Sequence, residues 1–308
     1  MSYFVAAGTS IPVFDPAKTG FAAEFAWWMA KCAALAYEDK AFIAYALEQA
    51  GFDEVTFFDT VGTQGYLTRH PGMAGKDAFA VLAFRGTEND WTDILSDLDF
   101  IKRKVSDKGY RAHGGFVMAL KNVWGTSFGP DWKGRIRVSW YGAPGVSDAI
   151  ARFKGEVPLY FTGHSLGAAI ATLAAHLWRP RAVYTFGSPR VADTELADLM
   201  NGQMASRCEI YRVVNSTDVV PRVPLPLGFK HIGNFVYFTR GGRLLIGRDA
   251  LLAALLEMLR EMFGVFSRWL PYWLCRWISP RLFTNHRISE YVRKLEVELP
   301  RTTTTNLK

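Results

Sequence analysis

The chain has 308 residues, 49% of them hydrophobic, enough to bury one large core or two small ones. Its three cysteines (Cys32, Cys208, Cys275) are far apart and odd in number, which argues against a disulfide framework and against a cysteine-based metal site. Net charge is +7, and residues 240–308 hold 12 Lys/Arg against 6 Asp/Glu; with no nucleic-acid motif beside it, this basic fifth points to anionic lipid rather than nucleic acid.

No internal repeat, low-complexity run or linker divides the chain, so one domain is expected over 1–300, with 301–308 a disordered tail. The first cation is Lys18, and a standard signal peptide is not evident ahead of it. Alanine- and aromatic-rich segments at 21–37 and 39–50 predict two helices with a structural role, the second stopped by Gly51. Residues 55–59 and 66–69 predict short strands. Residues 77–84 form a continuous apolar run of strand length, as expected of a strand covered on both faces.

That run ends in Arg85-Gly86-Thr87. A Gly-Thr pair at the carboxyl end of a buried strand lies where open α/β sheets bind ligands, so Thr87 is read either as an oxyanion donor or as the capping threonine of a turn. Apolar residues Trp91, Ile94, Leu95 and Leu98 share one face of a short predicted helix at 88–100, either a lid over a cleft or a fixed surface helix. His113-Gly114-Gly115-Phe116 opens another helix to about Trp124, and His113 either touches the site or packs at the helix start. Residues 135–141 predict a further strand.

The chain is organised around residues 159–176: a short apolar strand, then Gly163-His164-Ser165-Leu166-Gly167, then an alanine-rich helix. This is a nucleophile elbow, a strained strand-to-helix turn that lifts a serine hydroxyl above a sheet. The new helix aims backbone N–H groups at the place where negative charge would develop. A second match to the pattern, Gly125 to Gly129 around Ser127, has no strand before it and Pro130 behind it, and reads as a loop.

Further on, 181–186 predicts a strand, 193–200 a helix and 208–214 a strand that runs into Asn215-Ser216-Thr217-Asp218. Strand, loop and helix in alternation indicate a mostly parallel sheet wrapped by helices. Residues 235–239 and 243–246 predict a hairpin around Gly241-Gly242. Residues 250–270 are strongly apolar, with Glu257, Arg260, Glu261 and Arg268 as one narrow polar stripe. Pro271 ends this run, and Trp269, Trp273 and Trp277 recur at four-residue spacing. Charges recur too often for a spanning helix; the segment is an interfacial helix, a helix buried against the domain, or a dimer contact. His286 precedes a last helix.

A serine needs a base, and the base needs an orienting carboxylate. Only His231 and His286 lie beyond the elbow helix. Asp218 stands just after a core strand, whereas Asp193 and Asp198 fall within a helix; His231 follows Asp218 too closely to be a good base. The pieces Phe84-Arg85-Gly86-Thr87, His113 to Phe116, Gly163 to Gly167, Phe186 to Arg190, Val213 to Pro221, and His286 with Tyr291 occur in this order. Together they resemble the class 3 (fungal-type) lipases and their bacterial and plant relatives.

The resemblance implies an α/β-hydrolase fold and ester hydrolysis on lipids without a metal or cofactor. It implies Ser165 as nucleophile, Asp218 as acid, His286 as base, and Thr87 with the backbone N–H of Leu166 as oxyanion donors. The partner it implies is a lipid or ester substrate; contact to a lipid interface through 250–280 is read from that apolar segment itself. Two departures stand out: Ala168 replaces a usual third glycine, and the apolar insertion 249–280 separates acid from base. The triad alone leaves triacylglycerol lipase, phospholipase A1, short-chain carboxylesterase and feruloyl esterase open, and a non-catalytic membrane-binding module as the rival of another class.

Overall fold

In a computed structural model of the chain, the structure describes residues 3–4, 12, 14–60, 62–72, 77–87, 102–105, 109–125, 145–202, 205–216, 218–266 and 285–299, the side chains of 260–266 excepted. The expected helix at 88–100, the strand at 135–141, Ser127, the tryptophans at 269, 273 and 277 and the tail lie outside these residues.

The strands are β1 (Glu54–Thr60), β2 (Thr63–His70), β3 (Phe79–Phe84), β4 (Lys102–Lys104), β5 (Arg111–His113), β6 (Leu159–His164), β7 (Ala182–Phe186), β8 (Glu209–Asn215), β9 (Asn234–Phe238) and β10 (Leu244–Ile246). Among the described residues an eight-stranded sheet runs β1-β2-β3-β6-β7-β8-β9-β10, with β4 and β5 paired separately. It is parallel from β3 through β9. Antiparallel pairs close both edges. The expected strands at 55–59 and 66–69 are the arms of one edge hairpin, with Thr60 paired to Thr63 across its turn.

The helices are α1 (Ala23–Leu35), α2 (Lys40–Gln49), α3 (Gly114–Trp124), α4 (Val146–Ala151), α5 (Leu166–Trp178), α6 (Thr194–Asn201), α7 (Arg248–Phe266) and α8 (Ile288–Glu298). One face of the sheet carries a core with Phe116, Val117 and Leu120 of α3, Ile150 of α4 and Ile170 and Leu173 of α5. The other carries α1 and the buried face of α8, Tyr291 and Leu295. Being covered twice explains why every residue of β3 and of β6 is buried, why β3 runs apolar without alternation, and why β6 does so up to Phe161. This is the layered α/β architecture that the strand-helix alternation predicts.

Local chemistry sets the boundaries. Asp39, expected inside the second helix, stands before it as its N-cap and accepts the Phe42 N–H at 2.9 Å. Asp193 does the same for α6 and accepts the Leu196 N–H at 2.9 Å, so it is a cap rather than a helix residue. Of the apolar insertion 249–280, the structure describes a helix up to Phe266.

Candidate active site

Ser165 links β6 to α5 with φ 58° and ψ −123°, a backbone that a side-chain-bearing residue adopts only under constraint. The constraint comes from neighbours without side chains. A Cβ on Gly163 would lie 2.3 Å from the Gly167 carbonyl carbon, and one on Gly167 would lie 2.2 Å from the Phe84 carbonyl oxygen. The two limbs of the turn, and the end of β3, therefore touch through bare backbone. The Ser165 side chain caps nothing in its own helix.

The same packing sets the expected oxyanion donors beside the serine. Gly86 abuts the His164 carbonyl, where a Cβ would come within 2.7 Å, and Thr87 follows at an exposed position. Leu166 is the first residue of α5, and the N–H groups of a helix's first turn have no partner within the helix. Both N–H groups belong to the corner at which Ser165 stands.

Asp218 and His286, 68 residues apart in sequence, meet here. His286 Nδ1 lies 3.0 Å from each carboxylate oxygen of Asp218. The carboxylate is fully buried and also accepts the Val220 N–H at 3.0 Å and the Tyr291 hydroxyl. Nδ1 is thus the donor, which leaves Nε2 of the imidazole with its lone pair. Gly187, at φ 60°, sits against both partners: a Cβ there would fall 2.9 Å from Asp218 Oδ2 and 3.0 Å from His286 Nδ1. The preceding residue, Phe186, accepts the Ser165 N–H at 3.0 Å, which ties the elbow to the Asp-His pair. Among the described residues no hydrogen bond joins Ser165 Oγ to His286 Nε2; such contacts are often long until a substrate tightens them.

Residues whose roles the sequence left unstated hold this corner. His164 Nε2 lies 2.5 Å from the His286 carbonyl, and its Nδ1 lies 2.8 Å from the Tyr37 hydroxyl. A carbonyl only accepts, so Nε2 carries the proton and the tyrosine donates to Nδ1. Burial, with the nearby His286 as a second cause, pushes the His164 pKa well below its ordinary value and keeps the ring neutral. Tyr37, at the end of a segment expected to be only structural, therefore helps to fix the His286 main chain.

On the other side, the Asn215 N–H donates to the Tyr291 hydroxyl at 3.2 Å, and Asn215 Nδ2 to the Asn285 carbonyl at 2.8 Å. Lys294 Nζ donates to Asn215 Oδ1 at 2.6 Å. Burial and then the Asp218 carboxylate raise the Tyr291 pKa well above its ordinary value, so the phenol stays a donor.

The other candidates stand elsewhere. His113 packs at the start of α3 against Phe116 and Phe229, with ring centroids 4.4 and 5.9 Å away. The ring of His231 faces the Pro221 carbonyl, and burial together with Arg212 and Arg190 lowers its pKa. Asp198 pairs with Lys230 on the surface.

A mostly parallel sheet with a serine on a strained elbow, and an aspartate after a later strand paired with a histidine before the last helix, defines an α/β-hydrolase. Solved structures agree on the fold: lipase II from Rhizopus niveus superposes with a TM-score of 0.56 at 22% identity, over 74% of this chain and 85% of that one. The family model described as lipase (class 3) matches residues 81–227, so the resemblance to class 3 lipases carried by the motifs holds over that stretch. A secreted mono- and diacylglycerol lipase 1 of Fusarium solani is 36% identical over 110 residues, covering 33% of this chain and 32% of its own length. A phospholipase A1-II 4 of Oryza sativa subsp. japonica is 32% identical over 172 residues, 50% of this chain and 41% of its own. The chain spans less than half the length of these curated relatives.

Proposed function

We propose that the chain hydrolyses carboxylic esters of lipids, acylglycerols first among them, as one hydrolase unit over 1–300. The observation that carries this reading is the buried Asp218–His286 pair beside the elbow serine. Ser165 Oγ attacks the ester carbonyl as His286 Nε2 takes its proton. The tetrahedral oxyanion is held by the backbone N–H groups of Thr87 and Leu166. The C–O bond then breaks, and the alcohol leaves with the proton returned by His286. Water attacks the acyl-enzyme, passing a proton to the same imidazole, and the fatty acid departs from a restored serine. Each oxyanion donor is worth about 3 kcal/mol, on the order of a hundredfold in rate.

A second reading, phospholipase A1, is favoured by the rice relative and uses the same residues. Rates on triolein, on phosphatidylcholine and on p-nitrophenyl esters of increasing chain length distinguish lipase, phospholipase and short-chain esterase. Ser165→Ala is expected to be folded and inactive on all of them, and to lose labelling by a fluorophosphonate probe. Wild-type chain that fails to react with the probe would point to a non-catalytic module, and an active Ser165→Ala variant would overturn the mechanism.

A further inference from the structure

α7 is built inside out. Its face toward the protein carries Ala250, Ala253 and Ala254, which pack with Val214, Tyr237, Phe235 and Leu245. The one described acid in the middle of the helix, Glu257, lies on this inward face. Its Oε2 accepts the Tyr237 hydroxyl at 2.8 Å and the Ser216 hydroxyl at 3.0 Å, and its Oε1 accepts the Arg240 N–H at 2.9 Å. Between 251 and 259 the opposite arc is apolar: Leu251, Leu252, Leu255, Leu256, Met258 and Leu259 are 37–59% exposed. A surface helix of a water-soluble domain normally turns its leucines in and its charges out.

The hairpin that leads into this helix, and the helix start, are basic. Arg240, Arg243 and Arg248, on the β9–β10 hairpin and at the helix start, are exposed, and the exposed acids by them are Asp249 and Glu298, which accepts the Leu244 N–H at 3.4 Å. Leucines flanked by arginines are the pattern of a helix lying in a headgroup layer, with side chains in the acyl region and guanidinium groups at the phosphates. Among the described residues no helix is long and apolar enough to cross a bilayer.

From this inverted placement and its arginine border we infer that α7 is the face by which the chain docks on an anionic lipid surface. The inference rests on the lipid-ester reading for its purpose, but not for its geometry. Glu257 gives the docked helix a rigid mount. The carboxylate bolts it to β9 and to Ser216, which enters the Asp218 loop at φ 41°. The helix seated on lipid is therefore fixed to the loop that holds the catalytic acid.

The test is flotation of the Ser165→Ala chain with vesicles of phosphatidylcholine, with and without phosphatidylglycerol, so that turnover plays no part in the result. The chain is expected to float with phosphatidylglycerol vesicles, more weakly as salt rises. Replacing Leu252, Leu255 and Leu256 together by glutamine is expected to lower partitioning about a hundredfold, with the melting temperature unchanged. Replacing Arg240, Arg243 and Arg248 by glutamine is expected to cost about fivefold per arginine on anionic vesicles and nothing on phosphatidylcholine. The proposal is overturned if the chain ignores both vesicle types, if charge makes no difference, or if the leucine variant binds as well. A fall in melting temperature for the leucine variant would also overturn it, because the leucines would then be packed within the protein. So would loss of a dimer in place of vesicle binding, which would make a second copy the occupant. None of these outcomes depends on whether Ser165 is the nucleophile, which the ester assays decide separately.

Discussion

Tyr291→Phe removes one oxygen from a fully buried position and leaves the ring where it is, edge-on to Phe186 at 5.9 Å and to His164 at 6.1 Å. Two hydrogen bonds go with that oxygen. The one it donates to the Asp218 carboxylate is charge-assisted, worth about 1.5–3 kcal/mol net. The one it accepts comes from the Asn215 N–H, which would be left buried without its partner at a cost of about 1 kcal/mol or more. The sum is a loss of about 3 kcal/mol in unfolding free energy at neutral pH. Activity should fall less steeply. Asp218 keeps the Val220 N–H and His286 Nδ1, so the imidazole retains its tautomer while the carboxylate is less firmly held. A fall in kcat of about tenfold at unchanged KM is expected. Urea melts and a p-nitrophenyl ester assay measure the two effects. If stability is unchanged, Tyr291 does not anchor the acid. If kcat falls a thousandfold, the hydroxyl takes part in the chemistry itself.

Gly187→Ala puts a methyl group 2.9 Å from Asp218 Oδ2 and 3.0 Å from His286, at a left-handed φ that already disfavours alanine by about 1–2 kcal/mol; the variant is expected to lose at least tenfold in kcat/KM, and full activity would show that the pair does not need its observed spacing. His164 is buried and His231 half-buried, and both have pKa values held well below the ordinary value. Their contribution to stability is complete above the unfolded value of about 6.5 and is lost as pH falls below it, by up to about 1.4 kcal/mol per pH unit for each. Urea midpoints should therefore drop between pH 7 and pH 5, and His164→Gln, which keeps one donor and one acceptor for the His286 carbonyl and Tyr37, should remove about half of the drop; an equal drop in the variant would mean that His164 does not resist protonation.

What the sequence reveals well is what is local. The elbow is readable because its glycines, its serine and its alanine-rich helix are consecutive, and each answers a steric demand that the structure makes explicit: Gly163 against Gly167, and Gly167 against the end of β3. The buried strand β3 is readable because cover on both faces leaves it no polar position, and β6 because only Thr162 and His164, both hydrogen-bonded, break its apolar run. The Asp218–His286 pair is harder. Chain order and residue type narrow the choice to two histidines, but the meeting of loops 68 residues apart is a tertiary fact. Tyr37, His164 and Tyr291 show the limit. A tyrosine ending an aromatic helix and a histidine within a motif have no periodicity that announces a hydrogen bond to a distant main chain.

α7 shows how a correct local reading points the wrong way. Of the narrow polar stripe, Glu257 is the described side chain, and by the usual logic of amphipathic helices it should face water. The structure turns it inward because three donors wait there: the Tyr237 hydroxyl on β9, the Ser216 hydroxyl after β8 and the Arg240 N–H of the hairpin. Three hydrogen bonds to one carboxylate outweigh what its hydration would return, and the small alanines on either side let the helix approach closely enough to make them. Once Glu257 is fixed inward, the leucines have only one direction left. The chain between acid and base thus leaves Asp218, forms an edge hairpin, shows an apolar ridge to its surroundings, and returns at Asn285, whose carbonyl is held by Asn215 just ahead of the acid loop.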